Sequence, residues 1–499
     1  MSYIVFSLVL AIVAAFVAGN SNAGRIKAFI LSFILLSLLN YFSMPTMAFW
    51  GFEGVWIEAL LTILASLLSF AVGVEDTEDD GNLFKVLNIF RATILGFVVG
   101  ALILAAAQSW ECFHATRFAQ RLEVKVVSDT TFTKAVKAID VQKMISVDSA
   151  LARKVAEDKL GQEVGLGSRT EVGKMTLQSI SGEFTIQGGK KLVFNDAMIY
   201  IAPLEHSSFW KWVSNKTTPG YVLVDATDQT KVWLVTEVNG QKLALKYIES
   251  AAFGTDIERH IKNNGYAHRG ITDFSFEIDN DGHPFWVLSY YSQYIGFSGE
   301  EAEGVITVDA QSGDLQAYTI AEAPEWIDRI QPEEFVRDQI RCWGEYKKGW
   351  WNSFVSQVGV QEPTQGTSLV WSEGRSYWYT GIKSAGADAG TNGFMLVDTR
   401  TKEATLYRSV GVDEEEARRI AEDLPFSKAA NYRATYPILY NVRGIPTYFM
   451  VMKGGSGNVV GYSFVAISNR QAVGAASSKQ EAEKEYLRML KKTAQDKIK

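Results

Sequence analysis

Cysteine is scarce in this chain: 499 residues contain two, Cys112 and Cys342. That excludes a disulfide framework and a cysteine-built zinc site. Two readings of the pair stand, unpaired small hydrophobes or a single bridge if both lie in an oxidising compartment and meet in space. Histidine is scarce too, with five residues, and no two have helical metal-ligand spacing. There is no Gly-x-Ser-x-Gly elbow, no P-loop and no Rossmann fingerprint. No motif implies a cofactor or a catalytic constellation. The net charge of -7 argues against nucleic acid as a partner. From Gln108 to Lys499 there is no long apolar run.

Before Gln108 the opposite holds. Four apolar runs fall near Tyr3–Ala18, Ala28–Phe42, Val55–Val74 and Val86–Ala107. A spanning helix needs about 20 apolar residues, so an N-terminal four-helix transmembrane bundle over 1–108 is the expectation. A cleaved signal peptide is the rival for the first run, since Ser21-Asn22-Ala23 resembles a cleavage site. Met1-Ser2, however, supplies no basic leader. Arg25, Lys27, Lys85 and Arg91 favour the first and third connections inside, with both termini outside. Arg117, Arg121 and Lys125 pull the other way. Glu58, inside the third run, is a candidate intramembrane carboxylate. The alternative is an interfacial Glu that reaches water.

The rest of the chain repeats itself. Gly220–Ala226, Gly304–Ala310 and Gly393–Thr399 each read as Gly, three mostly apolar residues, then Val-Asp. Gly461–Ala466 keeps the pattern with Ala in place of Asp. Aromatic, strand-like runs precede each copy, at Phe209–Val213, Pro284–Tyr291, Tyr377–Ile382 and Pro446–Lys453. Turn-formers separate the runs, so each unit reads as a β-meander. The Asp of Val-Asp begins a turn, where its carboxylate can accept backbone N–H groups two residues on. Val147–Asp158 parallels Val412–Asp423, and each opens on an N-cap Asp with Ala on one face.

A capped Ala-rich helix followed by a small antiparallel sheet, ending in Val308-Asp309-Ala310-Gln311-Ser312-Gly313, resembles the PepSY-like modules of bacterial envelope proteins. The resemblance covers pieces of 147–492, and the fourth copy departs from it by lacking the Asp. It implies an extracytoplasmic, non-catalytic module linked to binding or to restraint of peptidases. The fold class expected is therefore α+β, a transmembrane bundle followed by tandem helix-plus-antiparallel-sheet modules. Their bounds are 109–235, 236–323, 324–410 and 411–499, the last including a C-terminal helix.

One soluble segment is unusual. Trp343, Tyr346, Lys347, Lys348, Trp350 and Trp351 crowd aromatic and basic residues together. At 100° per residue the four rings share one helical stripe. Lys347 within the stripe resists burial, and Gly349 is a poor helix residue. These six are the candidate interface. The alternative is a helix packed under neighbouring modules. The functional expectation is a membrane-anchored binding or assembly protein without catalysis, in a bacterial inner membrane. Its partners would be the lipid bilayer and a protein, or copies of itself. A subunit of an oligomeric channel or transporter, and an envelope enzyme, are the alternatives.

Overall fold

The computed structural model describes residues 2–18, 22–47, 93, 96, 99–100, 103–104, 106–128, 131–163, 165–385, 391–428 and 430–496. The chain divides into two compact units. One comprises Met1–His114, Ile257–Ile271 and Tyr290–Glu301, and the other Ala115–Asp256, Thr272–Ser289 and Ala302–Lys499.

In the first unit two apolar helices, Ser2–Ala18 and Asn22–Ser43, lie together. Ser7, Leu10, Ala11 and Ala14 are buried, the spacing of one helical face. Small residues there let the backbones approach, and Asn40 Nδ2 donates to Ser7 Oγ at 3.0 Å across the contact. The outward side chains Leu31, Leu35 and Phe42 are exposed, which suits lipid rather than water. The expected four-helix transmembrane bundle is corrected here. Among the described residues a single helix, Ala23–Ser43, is long and apolar enough to cross a membrane, and the first apolar run forms a shorter one. A helix of about 20 residues is the minimum span, and the first run falls short of it. The third run lies outside the described residues, as do Glu58 and most of the fourth. Beyond Ser43, Met47 N–H bonds Ala267 O at 2.6 Å, and Arg259 donates to Tyr41 O at 3.0 Å. The Arg259 guanidinium also lies 3.9 Å from the centre of the Tyr41 ring.

The remainder is rich in sheet and mixed with helices. Among the described residues there are four sheets, and in the first the main antiparallel strands are Thr176–Ile186, Lys190–His206, Tyr221–Asp225 and Val232–Val235. The helix Ser149–Gly161 sets Ala152, Ala156 and Leu160 against Tyr200, Ala202, Val222 and Val224. Asp148 caps it, accepting from Leu151 N–H at 2.9 Å. The second sheet is a simple meander of Gly270–Ile278, Pro284–Ile295, Ser298–Asp309 and Leu315–Thr319. A side chain ties the two sheets: Gln178 donates to Ile278 O at 2.6 Å and accepts from Ile278 N–H at 3.1 Å. The buried amide thus replaces a peptide at a strand edge.

The third sheet is built on Arg375–Ser384, Gly393–Asp398 and Ala404–Arg408. Val124–Ser128 joins its edge in parallel, Val124 opposite Ala404. Alternation buries both faces. Trp378, Met395, Val397 and Leu406 meet the helix Glu333–Glu345, while Tyr379, Phe394, Leu396 and Tyr407 meet the fourth sheet. The fourth sheet repeats the device. Tyr448, Met450 and Met452 share a core with Ala417 and Ala421 of the helix Glu414–Asp423. Phe449, Val451 and Phe464 pack on Ala482 and Tyr486 of the helix Lys479–Asp496.

The recurring glycine has a steric cause. A Cβ on Gly220 would sit 1.9 Å from Val235 O, and one on Gly393 would sit 2.3 Å from Tyr407 O. Phe209–Val213, read from sequence as a strand, is a correction. Phe209–Ser214 is a short helix. β-propensity reflects packing against neighbouring strands, and among the described residues this segment pairs with none.

Candidate functional site

The aromatic segment begins on the helix Glu333–Glu345, whose apolar face carries Val336, Ile340 and Trp343 into the core. The helix stops at Glu345, and Gly349 adopts φ +82° just beyond. The four rings expected on one helical stripe are therefore not on one helix. Trp343 and Tyr346 are buried. The Lys347 ammonium sits 3.4 Å from the centre of the Trp343 ring and donates to Gln361 Oε1 at 3.1 Å. Burial, and the nearby Arg408 charge, hold that ammonium below the usual lysine range. Lys348 is exposed.

After Gly349 the chain turns outward. Trp351 is 72% exposed and Phe354 73%, with Val355 and Val358 beside them in sequence and also exposed. Trp350 stacks on Phe354 at 5.9 Å and meets Trp351 edge-on at 5.1 Å. Asn352 braces this knob. Its backbone carbonyl accepts from Gln357 N–H at 2.7 Å, and its side chain donates to Val358 O at 3.2 Å and accepts from Ser356 Oγ at 2.8 Å. Four exposed apolar side chains, Trp351, Phe354, Val355 and Val358, thus lie on or beside a turn that Asn352 holds in place. Phe354, Val355 and Val358 were not among the sequence candidates. The spacing of Trp350 and Phe354, four residues apart, is a signal that could have found Phe354; no comparable signal marks Val355 and Val358.

The repeated Asp residues serve their turns. Asp225 Oδ1 accepts from Thr227 N–H at 2.8 Å, Asp309 Oδ1 from Gln311 N–H at 2.7 Å, and Asp398 Oδ1 from Arg400 N–H at 2.9 Å. The second oxygen of each faces a basic side chain: Lys231 at 3.5 Å, His283 at 2.8 Å and Arg375 at 2.7 Å. Burial opposes ionisation of Asp309, yet the bond to His283 and the two turn N–H groups prevail and hold it at about 2. His283 is raised by its bond to Asp309. Cys112 and Cys342 are both unbridged.

Buried acids escaped the sequence reading. Glu205 is pushed up to about 7 by burial, against hydrogen bonds from Ser250 N–H and Ser250 Oγ. Burial also raises Glu277 and, with Glu277 as an added like charge, Asp328. Ser179 N–H donates to Asp328 at 2.6 Å and Ser275 Oγ to Glu277 at 2.7 Å. Nothing in their sequence context marks them, because burial arises from the packing of distant strands.

A second exposed aromatic cluster surrounds the helix Phe209–Ser214. Trp210 is 74% exposed, and Phe209, Val213 and Phe253 are exposed with it. Trp212 is buried beneath, 5.6 Å from both Phe209 and Phe253, with the Lys216 ammonium 3.3 Å from its ring centre. Beside this helix lies a cavity of about 500 Å³, lined among others by Arg169, His206, Lys211, Asn215 and Thr218. Burial keeps His206 below the usual histidine range, with Lys216 adding to the effect.

No protein-family model matches the chain, and no curated protein does. Among solved structures, the crystal structure of an ACO/RPE65 chimera aligns at 12% identity with a TM-score of 0.18, covering 62% of this chain and 60% of that one. So low a score carries no argument about fold or function.

Proposed function

We propose that this chain is a membrane-anchored, extracytoplasmic protein of a bacterial inner membrane that presents its sheet-rich part to a protein partner and catalyses no reaction itself. The observation that carries the reading is the braced knob of Trp350, Trp351, Phe354 and Val355. Large aromatic side chains held on a rigid turn are the kind that dominate binding energy. They lose little freedom on docking, because Asn352 already fixes the turn. Anchoring is supported by the helix Ala23–Ser43, with Arg25 and Lys27 at its N-terminal end. Basic residues favour the cytoplasmic side, so the chain leaving Ser43 emerges outside. The PepSY-like resemblance points to the same compartment and to binding rather than catalysis.

The test is photo-crosslinking in intact cells from a reactive residue placed at Trp351, with the same residue at Ser312 as a control. A discrete adduct to another polypeptide from position 351 and none from 312 is expected. No adduct from 351, or equal adducts from both, contradicts the reading.

A further inference from the structure

The cavity beside the helix Phe209–Ser214 is positive and incompletely satisfied. Arg169 and Lys211 contribute two cations to its lining, and among the described residues no carboxylate lines it. His206 and Thr218 are more than nine-tenths buried, yet His206 Nε2 and Thr218 Oγ1 have no hydrogen-bond partner among the described residues. Orphaned buried donors cost stability unless something binds them. Two cations, an imidazole N–H, a hydroxyl and the Asn215 amide are a donor set for a phosphate group.

The surroundings say where that phosphate comes from. The helix that supplies Lys211 to the cavity also carries Phe209, Trp210 and Val213 outward. Trp and Phe beside Lys is the composition of a segment lying at the headgroup level of a bilayer. Phe253 extends the patch from φ +56°, a left-handed conformation costly for a bulky residue. It lies only six positions before Arg259, which bonds Tyr41 O at the end of the membrane-type helix. Whatever the arrangement of the two units, that is at most about 20 Å of chain.

We infer that this cavity binds the phosphate of an anionic phospholipid, with Phe209, Trp210, Val213 and Phe253 set into the bilayer interface around it. Arg169 and Lys211 neutralise the phosphate, and His206 and Thr218 supply the inner hydrogen bonds. The inference rests on the membrane anchoring proposed above, and goes beyond it by naming a lipid class and a site.

The test uses the full chain with Cys112→Ser and Val213→Cys, the new thiol carrying an environment-sensitive fluorophore. The protein is reconstituted in nanodiscs of phosphatidylcholine, with and without phosphatidylglycerol. Retention in the discs reports anchoring, and the fluorophore reports the site, so the two readings fail separately. Quenching by headgroup-depth spin-labelled lipid is expected, stronger with phosphatidylglycerol. Arg169→Gln with Lys211→Gln should abolish the phosphatidylglycerol dependence while quenching in phosphatidylcholine persists. Both positions lie at the cavity lining, and an unchanged melting temperature shows that the variants fold. Absent quenching in both discs overturns the inference. So does a shielded but unquenched fluorophore, which reports a protein contact. A phosphatidylglycerol dependence that survives the double variant overturns the role of the cavity. In detergent, soluble glycerol phosphate should leave the emission unchanged; a shift matching that of phosphatidylglycerol would assign the cavity to a free phosphate ester and overturn the lipid source.

Discussion

At Asp309 the two carboxylate oxygens are divided between a turn and an imidazole, Oδ1 to Gln311 and Ser312 N–H and Oδ2 to His283. Asp309→Ala should cost about 0.5–2 kcal/mol, the scale of a lost local cap. The pH dependence follows from the shifts. Asp309 titrates lower folded, at about 2, than its ordinary 3.8, so its contribution is present above 3.8 and lost as pH falls through about 2. His283 titrates higher folded than its ordinary 6.5, so its share is complete below 6.5 and lost as pH rises through the raised value. Urea melts from acid to mildly basic pH should show this bell shape flattened in His283→Ala. Glu205 runs opposite to Asp309. Its folded value of about 7 exceeds the ordinary 4.5, so wild type should lose stability relative to Glu205→Gln as pH rises from 4.5 through 7. A difference independent of pH would contradict the protonated, buried carboxyl. The turn role of Asp309 was legible in Val308-Asp309-Ala310-Gln311-Ser312-Gly313, because Asx turns are local. Its partner His283 was not, because the pair spans 26 residues joined only by strand pairing.

Elements were legible where the pattern was local and periodic. Asp413 read as an N-cap, and its carboxylate accepts from Glu416 N–H at 2.7 Å. The strand-like run at Pro446–Lys453 matches the strand Ile445–Lys453. Phe209–Val213 misled because aromatic density serves strands and interfacial helices alike. The four apolar runs suggested four spans from length and hydropathy alone, and the first proves too short. Side-chain bridges between elements had no sequence signal. Gln178→Ala should cost about 1–3 kcal/mol, since it strands Ile278 N–H and C=O at a buried sheet junction. The aromatic segment predicts a sharp contrast. Trp343→Ala opens a hole in the core and should cost about 3–5 kcal/mol. Trp351→Ala, on an exposed ring, should stay within about 0.5 kcal/mol. Equal losses, measured by denaturant melts, would return the exposed rings to a purely structural role.

Among the described residues, a pair of apolar helices and a large sheet-rich part differ sharply in composition. The membrane-type helix Ala23–Ser43 carries no acidic residue and sets Arg25 and Lys27 at one end. The sheet-rich part carries the exposed aromatic clusters around Trp351 and Trp210, and the contacts proposed for both require that part to face the compartment that holds them. The candidate site was half legible for the same reason. Composition singled out 343–351, but which rings turn inward depends on where the helix ends and what the third sheet covers. Orientation is the claim on which partner and lipid readings both depend. It is tested most directly by an impermeant thiol reagent on intact cells carrying Cys112→Ser and Ser312→Cys, since Ser312 is exposed and Cys342 is buried. Labelling of position 312 without lysis is the expected result. Labelling only after lysis would place the sheets in the cytoplasm and contradict the account.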